Sequence, residues 1–246
     1  MVTGFGDTIH IPNLSNLSAN DKTASAEVTL QTFTETDTTI NLNKHKEASF
    51  LIEDIVKVQA NYNLMAEYTQ KAGFAIAKQI DTDLLSEYSN LTTTDVGDYG
   101  TDISDGVILE AINILDLNDV PDTERYIVLW PTQKNVLMGL DKFVKSDYLG
   151  QWDRPTPVRT GANSRFEWGE IYGIRVYYTN NVQTTAGSPT QYHNLLFHKE
   201  AFALALQQAP RTQSDYILEY LGNLVVVDTI YGLKTIRADF GVEIRS

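Results

Sequence analysis

The chain contains no cysteine. That excludes disulfides, thiolate metal sites and thiol nucleophiles, and it fits assembly in a reducing compartment. No apolar run approaches the roughly 18 residues needed to cross a bilayer. The start, MVTGFGDTIH, lacks the basic and apolar regions of a signal peptide. Positive charge is scarce as well: 19 Lys and Arg face 32 Asp and Glu, for a net charge of −13. The tightest basic group is Lys44-His45-Lys46. Phosphate backbones and anionic lipid surfaces select Lys/Arg clusters, so direct binding to nucleic acid or to a membrane is not expected. What is present is 42% hydrophobic and 10% aromatic residues over 246 positions. That suffices for one large domain or two modest ones around a packed core.

Catalytic arrangements are also missing. The histidines, His10, His45, His193 and His198, form no H-E-x-x-H pair, and satisfied structural roles are expected for them. Asp95, Asp98, Asp102 and Asp105 suggest a calcium loop. Counted from Asp98, however, the third position is Gly100 and the twelfth is Leu109, where an EF-hand needs Glu. Gly4-x-Gly6 lacks the third glycine and the preceding strand of a dinucleotide site. Neither a phosphate-binding G-x-x-x-x-G-K-[ST] nor a G-x-S-x-G elbow occurs. Asp81, Asp83 and Glu87 read as a solvated helix face. No catalytic residue, cofactor or metal is expected.

The most regular stretch is Asn61–Tyr88. Leu64, Tyr68, Ala72, Ile76, Ile80, Leu84 and Tyr88 recur every four residues, which predicts a long amphipathic helix capped by Asn61 or Asn63. Gly73 inside it predicts a close-packing site, because glycine otherwise costs about 1 kcal/mol there. Upstream, residues 1–43 hold nine threonines and apolar residues spaced by two, the period of a strand. They predict a projecting hairpin, Asp7–Ile11 against Glu27–Phe33, with a third strand over Thr38–Asn43.

Downstream, Thr101 or Ser104 caps a helix ending near Leu117. Tyr126–Trp130 is a buried strand that runs into a helix opened by Pro131. Residues 146–168 form a long loop carrying Arg154, Arg159 and Arg165. Gly173 divides a strand or a tight strand pair, and Asn194–His198 is a further strand. KEAFALALQQA predicts a helix stopped by Pro210. The end of the chain predicts strands Leu224–Ile230 and Leu233–Ala238 about a tight Tyr231-Gly232 turn with Gly232 at positive φ, then a last short strand, Gly241–Ile244.

The order of these pieces resembles the major capsid proteins of tailed bacteriophages, the Hong Kong 97-like fold. The segments that carry the resemblance are GDTIHIPNLSNLSANDK, ASFLIEDIVKVQANYNLMAEYTQKAGFAIAKQIDTDLL, YIVLWPTQKNVL, GEIYGIRVYYTNNV, FHKEAFALALQQAP and VVVDTIYGLKTIRADFGVEI. It implies an α+β chain. Residues 1–50 would be the projecting E-loop, 51–94 the peripheral domain with its spine helix, 95–220 an α/β axial domain, and 221–246 the strands returning to the peripheral domain. The family usually has an N-terminal arm before the E-loop, whereas this chain starts at what resembles the E-loop itself.

The resemblance further implies a structural protein of the virion. Its partners would be further copies of itself in pentamers and hexamers, then portal, scaffolding or decoration proteins, with DNA only as enclosed cargo. Assembly would take place in the host cytoplasm. An acidic wall fits that role, since it does not trap DNA driven in by a motor. Lys22, Val28, Leu30 and Phe33 on the E-loop, Lys44 and Lys46 at its base, and Arg154, Arg159 and Arg165 become candidate subunit contacts. Gly73, Ile76, Ile80, Gly173 and Gly232 become candidate structural positions. The alternatives are an encapsulin-type shell and a cytosolic α/β enzyme using the carboxylates around Asp81.

Overall fold

The computed structural model describes residues 6–13, 19–25, 27–28, 30–32, 36–59, 63–139 and 167–246. Strand β3 (Lys44–Glu53) leads through a short helix, α1 (Asp54–Gln59), to the long helix α2 (Leu64–Leu85), which ends in a 3-10 turn over Ser86–Asn90. The Asn63 side chain caps α2 by accepting from the Ala66 amide at 3.4 Å. Ala72, Ile76 and Ile80 of α2 meet Ala48, Phe50 and Val227 on a sheet. That seam is narrow: Ala72, Ile76 and Leu85 are the buried residues of α2, while Tyr68 and Phe74 are exposed.

Gly73 is not a close-packing site. It is exposed, and a β-carbon there would meet nothing within 4 Å. Only the conformational freedom of glycine remains at this position. Gly73→Ala is therefore expected to stabilise the isolated subunit by about 0.5–1 kcal/mol, read as a raised urea midpoint.

The sheet under α2 has the order β3-β10-β9, with β9 Phe202–Ile217 and β10 Gly222–Thr235. Two expectations fail here. KEAFALALQQA forms a 3-10 turn over Lys199–Ala201 and then the first half of β9, because pairing with β10 overrides helix propensity. Pro210 does not stop a helix; it falls where the register jumps from Asp228↔Arg211 to Ile230↔Gln208. A bulge on an edge strand is where a residue without an amide hydrogen fits. The predicted Tyr231-Gly232 turn is continuous strand, with Tyr231 opposite Leu206 and Gly232 opposite Ala205.

The projecting hairpin pairs β1 (Thr8–Asn13) with β2 (Thr36–Asn41), Ile9 opposite Ile40. The expected partner Glu27–Phe33 is displaced by the segment expected to form the third strand. Burial explains the choice: Ile40 and Leu42 form a small core with Ala205, packed by Ile9, Ile11, Ala203 and Ile236. The described residues of 27–32 belong to no strand.

The second sheet contains β4 (Arg125–Leu129), β5 (Glu167–Ile171), β6 (Ile174–Tyr178), β7 (Thr184–Thr185), β8 (Gln191–His198) and β11 (Gly241–Arg245). Its order is β11-β8-β4-β6-β5, with β7 paired to β8. Helix α3 (Asp105–Leu117) starts at Ser104, whose hydroxyl accepts from the Val107 amide, and α4 (Pro131–Met138) follows β4 as expected. Ile108, Ala111 and Leu115 of α3 pack with Ile127, Leu129, Val176, Leu196 and Ile244 in the largest core. Gly173 sits with Tyr172 in a two-residue turn, at φ 77° and 52°. Both residues are left-handed, the geometry that matches the twist of a tight hairpin, so glycine is needed for its backbone and not for space.

Candidate assembly surface

Strand alternation sends the side chains of Lys44 and Lys46 to the α2 side of the sheet and that of His45 to the other. On the α2 side the hub is Asp83, whose side chain is 13% exposed. It receives the Tyr231 hydroxyl at 2.8 Å, the Gln79 amide at 2.8 Å and Lys44 Nζ at 3.1 Å, with Lys46 at 3.9 Å. Burial pushes this carboxyl up, but the bonds from Tyr231, Lys44 and Gln79 outweigh it and hold it below the usual carboxylate range. One turn on, Glu87 accepts from the Thr235 amide at 3.2 Å, and burial raises the carboxyl of Asp81. The expected solvated face is therefore partly an internal clamp joining β3, α2 and β10. The acceptor sites of Asp83 are occupied by structural donors.

Across the sheet, Arg211 grips Asp228 with two bonds, Nε–Oδ1 at 2.9 Å and Nη2–Oδ2 at 3.2 Å. Gln208 and His45 complete the set at 2.9 and 3.2 Å. Arg211, opposed by desolvation and then helped by His45 and Gln208, holds this carboxyl down at about 2. A depressed carboxylate contributes stability that is complete above its unfolded value, about 3.9, and lost as pH falls through the folded value. The subunit is therefore expected to lose thermal stability between about pH 4 and pH 2, and Asp228→Asn should flatten that part of the profile. A variant profile parallel to that of the parent over this window would refute the assignment.

Hydrogen bonds anchor the hairpin at its base. The Leu42 amide donates to the Asp7 carbonyl at 2.7 Å, and Gln207 Nε2 donates to the Gly6 carbonyl at 3.0 Å. Gly232 lies beneath this base: a β-carbon there would stand 2.9 Å from the Asn41 carbonyl carbon and 3.1 Å from Leu42 Cα, inside contact distance. Its role is close approach, not the expected turn. Away from the base, Lys22, Val28 and Leu30 are exposed, Leu30 by 90%. Lys44 and Lys46 reach inward to Asp83, and Ile76 and Ile80 line the helix–sheet seam. Phe33, Arg154, Arg159 and Arg165 lie outside the described residues.

Sequence reasoning missed the apolar surface of α1 and the β9–β10 turn, where Ile55, Val58, Leu218, Tyr220 and Leu221 are all exposed. The available signal was an apolar sequence, ASFLIEDIV, too long for the strand it contains. His193 meets Glu243 at 2.6 Å and Thr185 at 2.8 Å and stacks on Tyr88. That is an internal brace. Among the described residues no group of three His, Asp or Glu is placed to hold a metal ion.

No family model and no curated protein matches the sequence. Solved structures do resemble the fold over nearly its whole length. Mycobacterium phage Che8 matches at TM-score 0.75 and 21% identity, covering 97% of this chain and 84% of that one. The capsid structure of the cyanophage P-SCSP1u matches at 0.74 and 15%, over 99% and 84%. The capsid of Ralstonia phage GP4 matches at 0.72 and 14%, again over 99% and 84%. The overall fold is thus shared at 14–21% sequence identity. The chain has the Hong Kong 97-like fold of phage capsid proteins.

Proposed function

We propose that the chain is a major capsid protein whose copies build the icosahedral head enclosing a phage genome. The observation that carries this reading is the extent of the likeness: the match to these phage structures covers 97–99% of the chain. The structural donors held by Asp83 and Glu87 agree with a structural role. The three-stranded sheet with α2 corresponds to a peripheral domain, and the six-stranded sheet with α3 and α4 to an axial domain. On this reading β9, which lies in the first sheet, favours a boundary near residue 201 over the one expected at residue 220. Portal, scaffolding and decoration proteins are the further partners this role requires, with assembly in the host cytoplasm and DNA held only as cargo.

The test is assembly. Light scattering across salt and pH, with negative-stain microscopy, is expected to find capsomers or closed shells. A strictly monomeric chain under all conditions would overturn the reading. The hairpin supplies a sharper version. Replacing residues 14–35 by a short Gly-Ser turn keeps the Ile9–Ile40 pairing and the base contacts. The thermal transition of the isolated subunit should then stay nearly unchanged while closed shells disappear, because an edge so exposed needs a neighbour to cover it. Normal particles from the shortened chain would refute this role for the hairpin.

A further inference from the structure

The long helix α2 presents a face that the described fold leaves open. Ala72, Ile76 and Ile80 turn toward the sheet. Phe74 stands two residues before Ile76, about 160° round the helix from it, so its ring points straight outward. It is 62% exposed, on the side where a surface helix ordinarily carries polar residues. Lys71 and Lys78 lie one turn to either side of Phe74 on the same face, and Glu67 and Asp81 lie two turns out. Lys71 Nζ stands 5.3 Å from the centroid of the Tyr68 ring, itself 44% exposed. Among the described residues neither lysine enters an ion pair. The base of the projecting hairpin lies elsewhere. Tyr231 points toward Asp83 of α2 while its neighbour Gly232 faces Asn41, so that base crosses the opposite side of the sheet.

We propose that this face docks a helix of a different protein, an acidic amphipathic helix whose apolar ridge covers Phe74 and whose carboxylates pair with Lys71 and Lys78. The flank of a helix offers no free backbone hydrogen bonds, so a partner must read side chains. Another helix does so with anchors three, four and seven residues apart. Lys71 and Lys78 are about 10.5 Å apart along the axis, which a nearly aligned partner matches with carboxylates one heptad apart. Charge disfavours a second copy of α2 as that partner. Antiparallel about Phe74, Lys71 would meet Lys78 and Glu67 would meet Asp81; in parallel register each charge would meet itself. A phosphate backbone would meet Glu67 and Asp81 at the two ends of the lysine pair, in a chain of net charge −13. Docking of this kind needs only the folded subunit, so it goes beyond the capsid reading and does not depend on it.

Two synthetic fluorescent helices test it, one with glutamates a heptad apart around a leucine ridge and a twin with lysines in their place. By anisotropy with the full chain, the glutamate helix should bind about tenfold or more tightly than its twin, and added salt should weaken it. Phe74→Ala should weaken that binding by about tenfold with the thermal transition kept, since the ring is exposed. K71E with K78E should reverse the preference, so that the lysine helix binds better. The absence of cysteine allows the contact to be placed directly. A dye on Ala77→Cys should respond to the glutamate helix, and one on Lys199→Cys, on the 3-10 turn after β8, should not. Should the charge-reversed variant misfold, Phe74→Ala and the dye decide. Equal binding of the two helices, binding undiminished by Phe74→Ala, or no binding at all would overturn the proposal. Self-association of the chain that Phe74→Ala abolishes would assign the face to a second copy and overturn it as well.

Discussion

Gly232→Ala is expected to destabilise the subunit nearly as much as Gly232→Val, by about 1–3 kcal/mol. The reason is that the first added carbon already collides, and it collides with backbone. It would fall against the Asn41 carbonyl and Leu42 Cα, where the hairpin base crosses β10. A flexible side chain could rotate away at little cost, but two paired strands cannot, since the base is also fixed by the Leu42–Asp7 hydrogen bond and by the burial of Ile40 and Leu42. The strain should therefore appear in two places. The urea midpoint should fall, and proteolysis within residues 6–42 should accelerate as the hairpin base lifts. A neutral alanine variant would mean that the hairpin base is free to move off the sheet, contrary to the geometry.

Tyr231→Ala should be the more damaging single truncation, at about 3–5 kcal/mol, a range typical of removing a large buried aromatic ring. Tyr231 is fully buried and is the largest such side chain among the described residues. Its hydroxyl also donates to Asp83, so part of the loss is polar. Tyr231→Phe isolates that part. It leaves Asp83 with Lys44 and Gln79 but one donor short, and should cost about 1–3 kcal/mol. Combined with Asp83→Asn, the phenylalanine change should cost less than it does alone, because the two groups share one interaction. Strict additivity in the urea midpoints would show that the hydroxyl and the carboxylate do not support one another. Burial and Asp83 both raise the phenol's pKa, so the hydroxyl stays a donor throughout the neutral range.

Much of the architecture was legible in the residues because the relevant signals are local. The four-residue spacing from Leu64 to Leu84 and the Asn63 cap specify α2, and Ser104 specifies the start of α3. The run Tyr126–Leu129 before Pro131 specifies a buried strand entering a helix. The order of these pieces points to the capsid fold, and phage structures at 14–21% identity share that fold. The acidic balance and the missing thiols likewise bounded the chemistry without any coordinates.

Partners distant in sequence settled the rest. Phe202–Gln208 has the composition of a helix, and only the neighbouring strand β10 turns it into β9. β1 could alternate against Glu27–Phe33 or against Thr36–Asn41; the buried contact of Ile40 with Ala205 selects the second. Gly73 and Gly232 look alike in a sequence, as isolated glycines in regular elements. Gly73 faces open space, and Gly232 faces the Asn41 backbone. Asp83 appeared to be one of three solvated carboxylates until Tyr231, 148 residues away, was seen to donate to it. Periodicity reports which face of an element is apolar, and capping reports where it ends. Neither reports what lies against that face, because that depends on contacts made only when the whole chain has closed.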